Sequence, residues 1–128
     1  MIAGIGLDLC EVERMSKACQ SEAFKRRVFS EAERAYAAQK ASQPLHLAGT
    51  FAAKEAFAKA TGLGLGKIGL QNVSVVHDEG GVPRLRLDPG AAALHPFLKG
   101  RFHLSITHDG GYAAAVVIYE TEEERDDH

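Results

Sequence analysis

The 128-residue sequence has no tryptophan, only two cysteines and no apolar run long enough to span a membrane. Cys10 and Cys19 do not form a CxxC pair, so they predict neither a disulfide framework nor a zinc site, and we expect free thiols. The amino terminus also lacks a basic segment followed by a long apolar stretch. We therefore expect a cytoplasmic protein that does not bind membranes.

The sequence also has little net charge. A formal charge of −2 at pH 7 gives no overall attraction to nucleic acid, so we expect no nucleic-acid partner. Hydrophobic residues make up 45% and charged residues 25%, which is ordinary for a globular domain. We predict a single domain over residues 1–120, followed by an acidic tail at 121–128 that has no apolar periodicity and is expected to be disordered.

The most informative stretch is alanine-rich and reads FAAKEAFAKATG at residues 51–62. Its composition favours a helix that ends at Gly62, with Phe57 facing the core. Glu55 and Lys59 are four residues apart on another face, and Lys54 lies on its flank. The simplest interpretation of Glu55 and Lys59 is a surface ion pair, which would contribute only about 0.3–0.5 kcal/mol.

The amino terminus predicts a strand over Ile2–Leu9 because apolar residues alternate there. Gly4, Gly6 and Asp8 share one face, so a ligand, another backbone or a helix could approach Asp8 closely. Alternatively, Asp8 caps the helix that follows.

Further along, Ser30 and Glu33 have the spacing of a capping box. Two hairpins are predicted, over residues 73–87 and 102–119, with a short helix over 91–98 between them. Basic residues cluster in the first quarter of the chain, which indicates a local docking patch for an acidic partner; they include Arg14, Lys17, Lys25 and Arg26.

Three segments could converge: Asp8, the Lys54–Lys59 part of the helix, and residues 105–108 in the last hairpin. Two carboxylates are suitable ligands for a Mg²⁺ ion that arrives with a phosphorylated substrate. A nearby lysine would balance phosphate charge.

The order of the motifs resembles that of the holo-(acyl-carrier-protein) synthases, a class of 4′-phosphopantetheinyl transferases. The resemblance rests on GIGLDL at 4–9 with Glu11 and Arg14, FAAKEAFAKA at 51–60 and LSITH at 104–108, and it spans nearly the whole chain. It implies an α+β fold with a mostly antiparallel sheet packed around a long helix, and a protomer of a homotrimer with active sites between neighbouring subunits.

The resemblance also implies a reaction. The phosphopantetheine arm of coenzyme A would be transferred to a serine of apo acyl carrier protein, in fatty acid biosynthesis, releasing adenosine 3′,5′-bisphosphate. Asp8 and Glu55 match the Mg²⁺ ligands of the family, and Lys59 would stabilise charge on the pyrophosphate. A carboxylate or a metal-bound water would take the serine proton.

Other residues acquire roles by the same resemblance. Lys54 would contact phosphate or the partner, Pro83 would lie beside the adenine, and Thr107 and His108 would approach the nucleotide end of coenzyme A from the adjacent subunit. The docking surface for the carrier protein would consist of Arg14, Lys17, Lys25 and Arg26.

The sequence departs from the family at two positions. Thr50 stands where arginine is common, so another basic residue such as Lys40 or Arg101 would have to supply that contact, and Thr107 stands where serine is common. Two alternatives remain open at this point: a non-catalytic subunit that binds coenzyme A or a carrier protein, and a Mg²⁺-dependent nucleotide pyrophosphatase that uses water as nucleophile.

Overall fold

A computed structural model describes residues 1–64, 66, 69–94 and 99–122. The predicted tail beyond residue 122, parts of the 62–69 linker and the second half of the helix predicted over 91–98 lie outside these residues. The helices are α1 (Val12–Ala18), α2 (Glu22–Val28), α3 (Glu31–Ala38), α4 (Gln43–Thr61) and α5 (Pro89–Leu94). The strands are β1 (Ile2–Glu11), β2 (Val73–His77), β3 (Pro83–Leu87), β4 (Arg101–Asp109) and β5 (Tyr112–Glu120), and a 3₁₀ turn, Leu70–Asn72, precedes β2.

The sheet that carries Asp8 has three antiparallel strands in the order β1-β5-β4. Asp8 is paired with Ala115, which is paired in turn with Ile106 on β4. Strands β2 and β3 form a separate two-stranded hairpin. The predicted arrangement, an antiparallel sheet packed around a long helix, is confirmed.

Helix α4 ends as predicted, at Gly62, and its start has a capping residue and an early proline. The Ser42 hydroxyl accepts a hydrogen bond from the Leu45 amide at 3.4 Å, and Pro44 occupies the first turn. Gly62 ends the helix in the left-handed conformation, with φ of 73°. Phe57 is fully buried against the sheet, as predicted.

Strand β1 is longer than predicted. Its pairing with β5 continues to Glu11, which lies opposite Tyr112. Glu11, not Asp8, is the N-cap residue of α1, and its side chain makes no capping hydrogen bond. Asp8 therefore lies within the strand, and the interpretation that it caps a helix is wrong.

Three short helices pack beside α4. Ser21 caps α2, since its hydroxyl accepts from the Phe24 amide at 3.1 Å, a start that the sequence did not reveal. The capping box of Ser30 and Glu33 at the start of α3 is confirmed. Within the described residues, no helix combines the length and apolarity needed to cross a bilayer, and both cysteines are free, as predicted.

The outer face of the sheet is unexpectedly apolar. Ile5 and Leu7 are each 65% exposed and Leu9 is 62% exposed. These three side chains lie in register with Ile118, Val116 and Ala114 of β5. The protomer thus presents a continuous apolar strip on the side of β1 opposite to α4.

Candidate active site

The close approach of β1 to α4 depends on two glycines. A Cβ atom at Gly4 would lie 1.8 Å from the carbonyl oxygen of Ala60, and one at Gly6 would lie 1.9 Å from that of Ala56. Such distances are impossible for a real side chain, so only glycine fits. The predicted close approach at the bare face of β1 is confirmed, and it is helix α4 that occupies this face.

This contact brings Asp8 to the charged face of α4. The Lys59 ammonium donates hydrogen bonds to Asp8 Oδ1 at 3.1 Å and to the Leu7 carbonyl at 2.9 Å. Among the ion pairs of the described residues, Lys59 contacts Asp8 and not Glu55. The interpretation of Glu55 and Lys59 as a helical surface ion pair is therefore wrong, because β1 supplies the nearer carboxylate.

Glu55 is half-buried beside this pair. Burial raises its pKa, and the negative charge of Asp8 raises it further, while Lys59 acts in the opposite direction. The two carboxylates are thus close enough to repel each other. A divalent cation between them would remove this repulsion, and carboxylate oxygens are the ligands that Mg²⁺ prefers.

The number of ligands also matters. No group of three or more histidine, cysteine or acidic side chains within metal-binding distance occurs in the described parts of the chain. Mg²⁺ commonly binds one or two carboxylates and completes its coordination with substrate phosphates and water. The donor set of Asp8 and Glu55 fits that mode of binding.

Lys54 does not lie in this site. Its side chain is 0% exposed and pairs with the Glu33 carboxylate, and its ammonium also donates to the carbonyls of Val28 at 2.8 Å and Leu70 at 2.7 Å. These three acceptors use all three ammonium hydrogens. The structure therefore contradicts the prediction that Lys54 contacts phosphate: helices α2 and α3 cover the flank of α4 on which it lies.

Thr107 and His108 lie on β4 rather than in the hairpin turn, which is formed by Gly110 and Gly111. Both line a cavity of about 350 Å³ near the start of α4, together with Lys40 and His46. Among the described residues that line it, Lys40 is the one lysine or arginine and none is acidic, and we call this space the basic cavity. An anionic group could bind there beside Lys40.

Thr50 lines the same cavity, although it is only 3% exposed and its hydroxyl donates to the His46 carbonyl at 3.1 Å. Of the two proposed substitutes for arginine, Lys40 lies at this cavity. Arg101 begins β4, six residues before Thr107, which is about 20 Å away along an extended strand.

An aromatic cluster supports the wall of this cavity. The rings of Tyr36 and His77 stack with centroids 4.0 Å apart, and His46 contacts both of them. Burial lowers the pKa of His46, as do the nearby charges of His77 and Lys40. Pro83 is paired with His77 across the β2–β3 hairpin, so the predicted adenine-side residue lies beside this cluster.

Sequence reasoning missed the cluster because its rings come from α3, α4 and β2. His46 and His77 have no local spacing that relates them. The only local signal was the position of His77 beside the turn that leads to Pro83.

The basic residues predicted for docking lie on α1 and α2. Arg14 is exposed and lines a largely apolar cavity of about 270 Å³ with Phe24 and Phe51. Arg26 is exposed, whereas Lys17 pairs with Glu13 at 3.6 Å and Lys25 pairs with Glu22 at 2.9 Å. The structure thus places all four residues on the side of α4 that also bears α1 and α2.

Comparison with known proteins gives the class. A family model described as the 4′-phosphopantetheinyl transferase superfamily matches residues 4–117. That range contains most of β1, all of α4 and the LSITH segment of β4.

Individual relatives narrow the class. The chain is 41% identical to a holo-[acyl-carrier-protein] synthase of Methylobacterium, with 94% of this chain and 95% of the relative covered. Its fold matches the crystal structure of the Neisseria meningitidis synthase with a TM-score of 0.86 and 32% identity, covering 94% of this chain and all of that one. It also matches the Bacillus anthracis synthase in complex with CoA (3′,5′-ADP), with a TM-score of 0.80, 34% identity and coverage of 95% and 99%. The chain belongs to the holo-(acyl-carrier-protein) synthase family of phosphopantetheinyl transferases.

Proposed function

We propose that this protein transfers the 4′-phosphopantetheine group of coenzyme A to a serine of apo acyl carrier protein in a Mg²⁺-dependent reaction. The observation that carries the proposal is the pair of Asp8 and Glu55. Asp8 on β1 lies close enough to Glu55 on α4 for its charge to raise the pKa of Glu55, and Lys59 contacts Asp8. The related synthase crystallised with CoA (3′,5′-ADP) supports the choice of substrate.

In this reaction the serine oxygen forms a bond to the phosphorus that carries the pantetheine arm. The bond from that phosphorus to the oxygen of adenosine 3′,5′-bisphosphate breaks, and the serine proton leaves to a carboxylate or a water in the site. Mg²⁺ bound by Asp8 and Glu55 would neutralise charge on the pyrophosphate. Lys59 turns from Asp8 to the phosphates and stabilises the leaving group.

The nucleotide end of coenzyme A binds at the basic cavity. Thr107 and His108 provide a hydroxyl and an imidazole there, Lys40 provides a permanent charge, and Pro83 lies beside the supporting rings. The charge of this cavity supports the assignment, because the nucleotide end carries phosphate.

The protomer assembles as a homotrimer with active sites between subunits. The strip formed by Ile5, Leu7 and Leu9 supports this proposal, since an exposed apolar face of this extent is typical of an interface. Assembly would bring Thr107 and His108 of one subunit to the carboxylates of the next.

The carrier protein docks on α1 and α2. Arg14 and Arg26 supply exposed positive charge for an acidic helix. Lys17 and Lys25 would leave their intramolecular glutamate partners and pair with acidic residues of the carrier instead. The apolar cavity beside Arg14 gives this surface an uncharged centre. We place the reaction in the cytoplasm and in fatty acid biosynthesis.

The test uses the purified protein with Mg²⁺, coenzyme A and apo acyl carrier protein. Intact mass should show a carrier that has gained one phosphopantetheine group, and a chelator should abolish the gain. Asp8→Asn and Glu55→Gln should fold normally and lose transfer, whereas Glu31→Gln, an exposed control on α3, should retain it. An unmodified carrier, under conditions in which a known transferase succeeds, would refute the proposal.

A further inference from the structure

A buried ion pair joins α4, the helix of the predicted active site, to α3, and its lysine also holds the end of α2, a helix of the predicted docking surface. Lys54 precedes Glu55 on α4, and both Lys54 and its partner Glu33 are almost completely buried, at 0% and 2% exposure. Two charges removed from water in this way are costly unless their hydrogen bonds are satisfied. The hydrogen bonds of Lys54 and Glu33 connect α4 with the end of α2, the start of α3 and strand β2.

The lysine side of the pair anchors the end of α2. Lys54 donates to the Val28 carbonyl, the last residue of α2, and its ammonium lies 5.6 Å from the ring centre of the fully buried Phe29. From the outer side, Gln71 donates to the carbonyl of Arg26 at 2.6 Å. The last turn of α2, which carries Lys25, Arg26 and Arg27, is therefore held from two directions by side chains of other elements.

The glutamate side of the pair anchors α3 and β2. Glu33 accepts hydrogen bonds from the backbone amides of Ser30 and Val75, each at 2.8 Å, as well as from Lys54. The carboxylate thus joins the start of α3 to the strand that follows the glycine-rich linker. Lys54 extends the same network to the Leu70 carbonyl.

We propose that Lys54, held by Glu33, is a positioning residue that fixes the basic end of α2 relative to Glu55 and Lys59, and so sets where a docked carrier protein presents its serine. The inference rests on the proposed function. An apolar side chain could fill the same volume, but it could not hold two carbonyls and a carboxylate from three separate segments. Lys54 acts through α2 and does not touch the substrate.

The experiment uses a double variant, Lys54→Met with Glu33→Gln, because removing only the lysine would leave a buried charge without a partner. Glutamine can still accept the Ser30 amide through its one side-chain oxygen, so α3 keeps its start, although the Val75 amide loses its acceptor. Gln71→Ala cuts the outer anchor of α2 without altering the interior. Tyr119→Phe, which loses a hydrogen bond to the Lys99 carbonyl far from α2, is the control for a general loss of stability.

We expect the KM for the carrier to rise at least fivefold in the double variant and less in Gln71→Ala, while the KM for coenzyme A stays within twofold. Hydrogen exchange should accelerate in residues 22–29 of both variants and not in those of Tyr119→Phe. An unchanged carrier KM, a parallel rise in both KM values, or unchanged exchange in α2 would overturn the inference. A wild-type protein that modifies no carrier would instead refute the proposed function on which it rests.

Discussion

Lys59 donates to Asp8 across the contact between α4 and β1, at 3.1 Å, although Glu55 lies one turn away on its own helix. The Lys59 side chain is 56% exposed and that of Asp8 is 19% exposed, so the ion pair itself stabilises the fold by at most about 1 kcal/mol. We therefore look for its role in the proposed reaction and not in stability. Lys59 is hydrogen-bonded to Asp8, one of the two carboxylates that we propose as Mg²⁺ ligands. In the proposed reaction it would turn to a substrate phosphate when the metal binds.

Replacing Lys59 should separate its competition with Mg²⁺ at Asp8 from its contact with the substrate phosphate. Lys59→Met is expected to bind Mg²⁺ more tightly by calorimetry, because a competing positive charge is gone. Its kcat/KM for coenzyme A should fall about ten- to a hundredfold, since a hydrogen bond to a charged group contributes about 1.5–3 kcal/mol. Lys59→Arg, which keeps the charge, should lose much less. Undiminished kcat/KM in Lys59→Met would show that Lys59 is only a partner of Asp8.

The glycine contact allows a sharp test of packing. Gly6→Ala would place its Cβ 1.9 Å from the carbonyl oxygen of Ala56, so backbone must move, at a cost of about 3 kcal/mol or more. Gly64→Ala has no atom within 4 Å of its new methyl group and should change stability by less than about 1 kcal/mol. Chemical denaturation of both variants measures the difference. Equal stabilities would mean that β1 and α4 do not touch as described.

Much of this arrangement could be predicted from the sequence because its causes are local. The period of β1 exposed Gly4 and Gly6 on one face, and the alanine content of α4 indicated a surface that could be approached closely. The capping box at Ser30 and the two hairpins also rest on neighbouring residues.

What could not be predicted depends on elements distant in the sequence. The sequence of α4 alone places Lys54 only on the flank of the helix, and the contacts with Val28, Glu33 and Leu70 that bury it come from other elements. Lys59 changes its partner for the same reason, since Asp8 arrives from 51 residues away. The spacing of residues within α4 therefore cannot predict the partners of Lys54 and Lys59.

The apolar strip of Ile5, Leu7 and Leu9 is the proposed subunit interface, so a charge introduced there should disrupt assembly. Leu7→Glu introduces a carboxylate at a side chain that is 65% exposed in the protomer, so it should leave the protomer folded while preventing assembly. Sedimentation should show trimers for the wild type and monomers for the variant, and transfer activity should fall with assembly. Val82→Glu, at an exposed apolar residue in the β2–β3 hairpin, is the matched control and should remain trimeric. A monomeric wild type would refute the trimer.

The last prediction concerns pH and the stacked rings beside the basic cavity. The pKa of His77 is lowered by burial and by Lys40, with Asp78 opposing, and that of His46 is lowered by burial, His77 and Lys40. Below the ordinary histidine pKa of about 6.5, these histidines bind protons more readily in the unfolded chain than in the folded protein. The folded protein therefore loses stability as the pH falls. The Tm should therefore decrease from pH 7.5 to pH 5.5.

His77→Phe should reduce this decrease, because phenylalanine can stack on Tyr36 without a titrating group. Calorimetric scans at four or five pH values would provide the comparison. If His77→Phe showed the full wild-type slope, the acid sensitivity would have to originate outside the ring cluster.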